Sequence, residues 1–345
     1  MKKLALFFLI CTYCINIKAQ DQDTVGERNT RYLNLRYIDF YRQNHPLSYI
    51  SFPFVGELGA KNKYVFTARL STSFMILGTK GSRFAAALIP DFTVRMLDLK
   101  SKPVYTPDFR IGGAIYYRIN NDEENYKYAT LGFMHHSNAQ DTTHRPVVGT
   151  LNYKDWDFST NYIYGRYNWG KVKMDDGVLW SSINHQLEFK SNGLFDSDNI
   201  IKGDYGFTRI AYSLSYRTYS YFFDLLTKAE KRYDKRTIRK MDDKKGWLNK
   251  ERFRWNLDAS YAINKYDNYN FFATKRRLNI EAAGYYSPFF MRQTAIMFAA
   301  GYYGEDPYNI YFKDKYAWFR FGIAVGFLKY TAKAIGKDYQ SHGIN

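Results

Sequence analysis

The chain has 345 residues, a formal net charge of +17 and a mean hydropathy of −0.50, yet 33 Tyr, 27 Phe and 6 Trp make 19% of it aromatic. Beyond the first fifteen residues no stretch approaches the ~18 unbroken apolar residues that a spanning helix needs, which excludes a helical membrane protein. The two cysteines, Cys11 and Cys14, lie close together near the start, which excludes a disulfide scaffold.

In chain order, MKKLALFFLICTYCINIKAQ places two lysines before an apolar stretch from Leu4 to Ile15 and a short polar exit ending in Ala19. This is the layout of a secretory signal over residues 1–19. Both cysteines fall inside it, so the mature chain offers no thiol for catalysis or metal binding. Residues 20–44 are a polar leader, which fits either a plug or a short periplasmic segment. An exported chain has little access to nucleic acid, so the basic balance points to anionic lipid head groups.

From residue 45 onward, segments that alternate apolar and polar residues recur between turn signals, as period-2 strands should. They cover residues 45–54, 63–77, 82–97, 108–119, 126–138, 157–167, 178–189, 207–223, 252–264, 271–286, 291–303 and 317–328. GTKGS at 78–82, NNDEEN at 120–125, SNGLFDSDN at 191–199 and YGEDPYN at 303–309 supply turns between them. The basic run from Lys228 to Arg252 is read as a solvated loop, because dense like charge repels.

Polar on average, aromatic and exported is the profile of an all-β protein, a transmembrane antiparallel β-barrel of about twelve strands in the bacterial outer membrane. Lipid-facing and lumen-facing side chains alternate in such a barrel, and aromatic girdles mark its interfaces. The barrel spans residues 45–330, and 331–345 is a tail. A secreted soluble β-protein is the competing reading.

One strand ends in LGFMHHSNAQ, residues 131–140. Residues two apart share a face of a strand, so Ala129, Leu131, Phe133, His135 and Ser137 point one way. That set is apolar until its end, which places His135 and Ser137 on the lipid side. A serine hydroxyl is a poor nucleophile until a neighbouring imidazole takes its proton, and a third group must hold the imidazole in the right tautomer. From spacing alone a polar strand end at the interface competes with this reading. His136 turns toward the lumen and, with His144, is read as an exposed loop residue outside the chemistry. A zinc site from His135, His136 and His144 is opposed by the lack of cysteine and by alternate facing. Ser137 sits in no G-x-S-x-G elbow, which opposes a soluble hydrolase.

GFMHHSNA is similar to the G-[FY]-x-H-x-S-N-G stretch of the outer-membrane phospholipase A family. By position, the resemblance makes His135 the base and Ser137 the nucleophile. The family's third member is an asparagine inside a pattern like S-W-N-R-x-Y-x-R. Ser159-Thr160-Asn161-Tyr162-Ile163-Tyr164-Gly165-Arg166 resembles it, which makes Asn161 the orienting residue and favours catalysis over a polar strand end. Ser101-Lys102-Pro103 before Pro107-Asp108 looks like the family's serine-proline loop, and Gly301-Tyr302-Tyr303-Gly304-Glu305 looks like its Y-G-E segment.

The chain departs from the family at Ala139, where the family has glycine, and in the loop AQDTTHRPVVGTLNYKDWD, which is longer. What the resemblance implies is a calcium-dependent hydrolase of the acyl esters of membrane phospholipids. Ser101 and Asp141 are its candidate hard oxygen donors for Ca2+, and the Ala139 backbone N–H serves the oxyanion. The resemblance also implies a reversible homodimer. The alternative is a non-enzymatic barrel, either a pore or an assembly component. On this reading His136→Ala leaves activity near that of the unaltered chain.

Overall fold

The structure is a computed structural model and describes residues 25–78, 82–100, 104–138, 159–175, 178–192, 203–221, 248–288, 290–291, 293–309, 312–326 and 329–331. A helix, α1 (Val25–Gln43), leads into β1 (Ser48–Ser51), β2 (Tyr64–Ser71), β3 (Phe74–Leu77), β4 (Phe84–Leu97), β5 (Val104–Arg118) and β6 (Lys127–Asn138). There follow β7 (Ser159–Asp175), β8 (Val178–Ser191), β9 (Thr208–Tyr221) and β10 (Leu248–Ala262). A single helical turn, α2 (Thr274–Arg277), precedes β11 (Leu278–Tyr286), β12 (Thr294–Tyr303), β13 (Tyr316–Val325) and β14 (Lys329–Thr331).

Twelve of these strands, β1, β2 and β4 to β13, form one antiparallel ring, which closes where β1 lies on β13 with Ser48 opposite Val325. The protein is therefore the closed antiparallel barrel that the alternation predicts, with no free sheet edge in the ring. The two remaining strands extend others. β14 lies along the start of β10, and β3 continues β2 along β4 past an interruption at Thr72 and Ser73. Pro90 of β4 faces that interruption and has no N–H to donate, so the ladder loses a rung there and only the Thr72 N–H reaches the Pro90 carbonyl, at 3.2 Å.

Inside-outside alternation is plain along β4, where buried residues occupy every second position. Ile50, Leu70, Leu88, Leu187, Trp255 and Phe298 stand exposed on the outer wall, where hydrocarbon and not water is the expected solvent. The strand reading departs from the structure at several places, the first being the expected single strand over 63–77, which is broken at Thr72 and Ser73. The expected strand over 271–286 begins only at Leu278, because 274–277 form α2. The expected strand over 157–167 runs on to Asp175. The basic run read as a loop overlaps β10, where Glu251 is fully buried and takes two hydrogen bonds from Arg254, at 2.6 and 2.8 Å. Pairing makes that burial tolerable. Most of the remaining run lies outside the described residues.

Both mouths of the barrel are occupied. At the end that carries the start of β1 and the finish of β13, α1 lies in the lumen. Phe40 stacks on Tyr126 with ring centroids 4.1 Å apart, and Tyr41 stacks on Tyr116 at 4.4 Å. The Tyr37 hydroxyl donates to Asn120 Oδ1 at 2.7 Å, and Arg217 donates to the Gln43 carbonyl at 2.8 Å. At the opposite end the segment after β12 folds inward. Glu305 takes an ion pair from Arg209 at 2.9 Å and a hydrogen bond from Tyr266 at 2.8 Å, while Arg276 donates to the Gly304 and Phe312 carbonyls. Between the two closures the lumen is polar, and Asp258 of β10 points inward while remaining exposed.

Candidate active site

Three adjacent strands, β5, β6 and β7, carry the site. Their register sets His135 opposite Asn161 on one side and Ile111 on the other, and sets Ser137 between Ser159 and Phe109. Leu131 and Phe133 are 55% and 38% exposed, whereas Met134 and His136 are 6% and 2% exposed. The odd-numbered residues of β6 therefore face outward, and half-buried His135 and Ser137 lie on the lipid side. Phe109 meets Phe92 of β4 edge-on at 5.5 Å, so an apolar wall stands beside Ser137.

His135 Nδ1 lies 2.8 Å from Asn161 Oδ1. An amide oxygen only accepts, so Nδ1 carries the ring proton and the lone pair is left on Nε2. Held by one nitrogen, a neutral imidazole at this place is free to take a proton at the other, as a general base requires. Ser137 stands on the same face about 7 Å further along the strand. Its hydroxyl makes no hydrogen bond to His135 in this structure, so contact requires a change of side-chain rotamer. The structure brings His135 and Asn161 together and places Ser137 beside them. Ser101, Ala139, Asp141 and His144 lie outside the described residues.

His136 is not an exposed loop residue. It lies within β6, faces the lumen and is buried against Asp108 of β5, which also pairs with Arg110 at 2.8 Å. Its Nδ1 accepts from Asn309 Nδ2 at 3.1 Å, so the ring proton sits on Nε2, which lies against the Asp108 carboxylate. Asn309 adopts a left-handed backbone conformation, φ 61°, which asparagine tolerates better than most residues. It also lies 3.4 Å from Thr160 Oγ1 and accepts from the Tyr205 hydroxyl at 2.8 Å. A buried polar cluster thus backs the strand positions that carry His135 and Asn161. Sequence reasoning passed over Asp108 and Asn309. Their only signal is a polar residue at an inward position, and the partner comes from a loop over 170 residues away, |i−j| = 173.

Among the described residues no group of three His, Cys, Asp or Glu could hold a metal ion. His135 and His136 face opposite sides of the wall, which opposes a zinc site that uses both.

No family model matches the chain, and no curated protein matches it by sequence. Solved structures do match. Outer membrane phospholipase A from Escherichia coli is 10% identical with a TM-score of 0.47, over 82% of this chain and 92% of that one. The beta domain of the Bordetella autotransporter BrkA is 11% identical with a TM-score of 0.30, over 81% of this chain and 96% of that one. At these identities the likeness is one of overall fold alone.

Proposed function

We propose that the protein is an outer-membrane phospholipase that hydrolyses the acyl esters of glycerophospholipids on the outside of its barrel. The observation that carries this reading is the 2.8 Å hydrogen bond from His135 to Asn161 on the lipid-facing wall, with Ser137 on the same face. A lipid ester reaches such a site without leaving the membrane, because the apolar wall of Phe133, Ile111 and Phe109 continues into the hydrocarbon.

In the proposed reaction the Ser137 Oγ attacks the ester carbonyl carbon while His135 Nε2 takes its proton. Asn161 holds the imidazole and stabilises the imidazolium through the Nδ1 hydrogen bond. Collapse of the tetrahedral intermediate breaks the carbonyl–alkoxide bond, and His135 returns the proton to the departing lysolipid alcohol. Water then attacks the acyl-serine with His135 again as base, releasing the fatty acid. The Ala139 N–H is assigned to the oxyanion by its place after Ser137 and Asn138.

Calcium belongs to the proposal through the family resemblance of this stretch. A hydroxyl and a carboxylate, Ser101 and Asp141, are the oxygen donors a hard cation prefers. Bound there, calcium would supply positive charge toward the oxyanion. A reversible homodimer is proposed on the same resemblance. The non-enzymatic alternative, a pore, has to contend with a lumen occupied at both mouths.

The deciding measurement is fatty-acid release from mixed phospholipid micelles by the purified protein. Release that stops in EDTA and returns with added calcium is the expected result. Full activity in EDTA overturns the calcium dependence, and no release under any condition overturns the phospholipase.

A further inference from the structure

At the end of the barrel that carries α1, a small cleft opens between the helix, the ends of β3 and β5, and the start of β4. Asn34, Tyr37, Ile38, Ser82, Arg83, Phe84 and Arg118 are among its lining residues. Arg118, the last residue of β5, is only 2% exposed. Among the described residues its Nε and Nη1 have no hydrogen-bond partner and no carboxylate pairs with it. The Tyr37 ring lies 5.5 Å from the guanidinium carbon, and Tyr41 stands beyond it. A buried cation is costly unless a hydrogen-bonded counter-charge accompanies it, and one distant ring face does not compensate.

A second guanidinium makes the imbalance worse. The Arg118 N–H donates to the Arg83 carbonyl at 2.9 Å, so the two arginines are fixed as neighbours across the β4–β5 pair. Like charges set opposite each other repel. Every other interior arginine described above has a carboxylate or several carbonyl oxygens facing it, as with Arg209, Arg254 and Arg276. Arg118 and Arg83 face a cleft. We infer that this cleft binds a phosphate group, held by the Arg118 and Arg83 guanidiniums with the Ser82 hydroxyl beside them.

The shape and setting of the cleft say how the ligand enters. The cleft has room for about one water-sized group, so one phosphate oxygen enters and the rest of the ligand stays outside. Phe84 is both a lining residue and 50% exposed on the outer wall, where it packs on Tyr117 at 4.9 Å. Aromatic side chains on the outer wall at a strand end mark the level of the lipid head groups. The phosphate therefore comes either from a phospholipid head group reaching over the Phe84 lip or from free phosphate in the aqueous phase.

The test uses the full barrel in maltoside micelles, which contain no phosphate, and titrates two ligands at constant ionic strength by calorimetry. One is inorganic phosphate. The other is a short-chain diether phosphatidylglycerol, which has no ester to hydrolyse. Each is measured on the unaltered chain, on Arg118→Gln and on Arg83→Gln, the last at an exposed position that folds regardless. Saturable binding of one equivalent is expected, weakened at least about tenfold in Arg118→Gln by loss of a charge-assisted hydrogen bond and weakened also in Arg83→Gln. Binding of the lipid alone identifies a head group as the source. Binding of both with similar affinity identifies the phosphate itself as what is read. Equal affinities for the unaltered chain and both variants, or no binding of either ligand, overturn the inference.

Discussion

His135 and His136 are adjacent in sequence and opposite in consequence. His135→Ala and Ser137→Ala are each expected to lose about 10⁴-fold or more in fatty-acid release, since a nucleophile and its base act as a unit. Asn161→Ala should lose less, about 10- to 1000-fold, because it orients the ring without taking the proton. All three should keep their heat-modifiable migration, standing at a half-buried margin of the outer wall. His136→Ala should do the reverse. It removes the partner that Asp108 and Asn309 share behind the site, at a cost of about 1–3 kcal/mol, as for a buried group left unsatisfied. A lowered unfolding midpoint measured by loss of heat-modifiability is the expected sign. The sequence reading expected His136→Ala to pass unnoticed, and an unchanged midpoint would restore that view. The facing of these residues was legible in advance, because Leu131 and Phe133 give the period directly. The burial of His136 was not, since it depends on Asn309 reaching across from a distant loop, and no local pattern encodes that.

At the scale of elements, α1 shows where alternation and composition fall short. Leu33, Tyr37, Phe40 and Tyr41 follow the spacing of a helix face, but aromatic residues in a barrel protein suit the girdles equally well. The leader therefore stayed open between a plug and a periplasmic segment. The stacking of Phe40 on Tyr126 and of Tyr41 on Tyr116 is what selects the lumen. Phe40→Ala is expected to destabilise the barrel by about 3–5 kcal/mol, the usual range for a buried phenylalanine, seen as a fall in its unfolding temperature. A midpoint within a degree of the unaltered chain would mean that α1 contributes little to the closed state. The interruption between β2 and β3 was missed, because residues 63–77 read as one strand. Pro90 was visible, but which neighbouring strand it would interrupt depends on a register that only the folded ring supplies.

For the molecule as a whole, the barrel was the most legible feature, because alternation repeats in every strand and each repeat is an independent vote for closure. The protein is expected to fractionate with outer membranes and to migrate faster in SDS before boiling than after. Recovery in the soluble periplasm would remove the membrane reading. The ring also has a seam. β1 has four residues, all laid on β13, yet only Tyr49 and Ile50 pair with β2. A ladder so short holds little by itself, and β1 follows α1 after only a few residues. The mouth at that end is filled by α1 itself, so the seating of the helix and the seam beside it are coupled. A helix docked among the lumen tyrosines holds β1 within a few residues of the gap. α1 is then the latch that keeps the ring shut at its weakest rung.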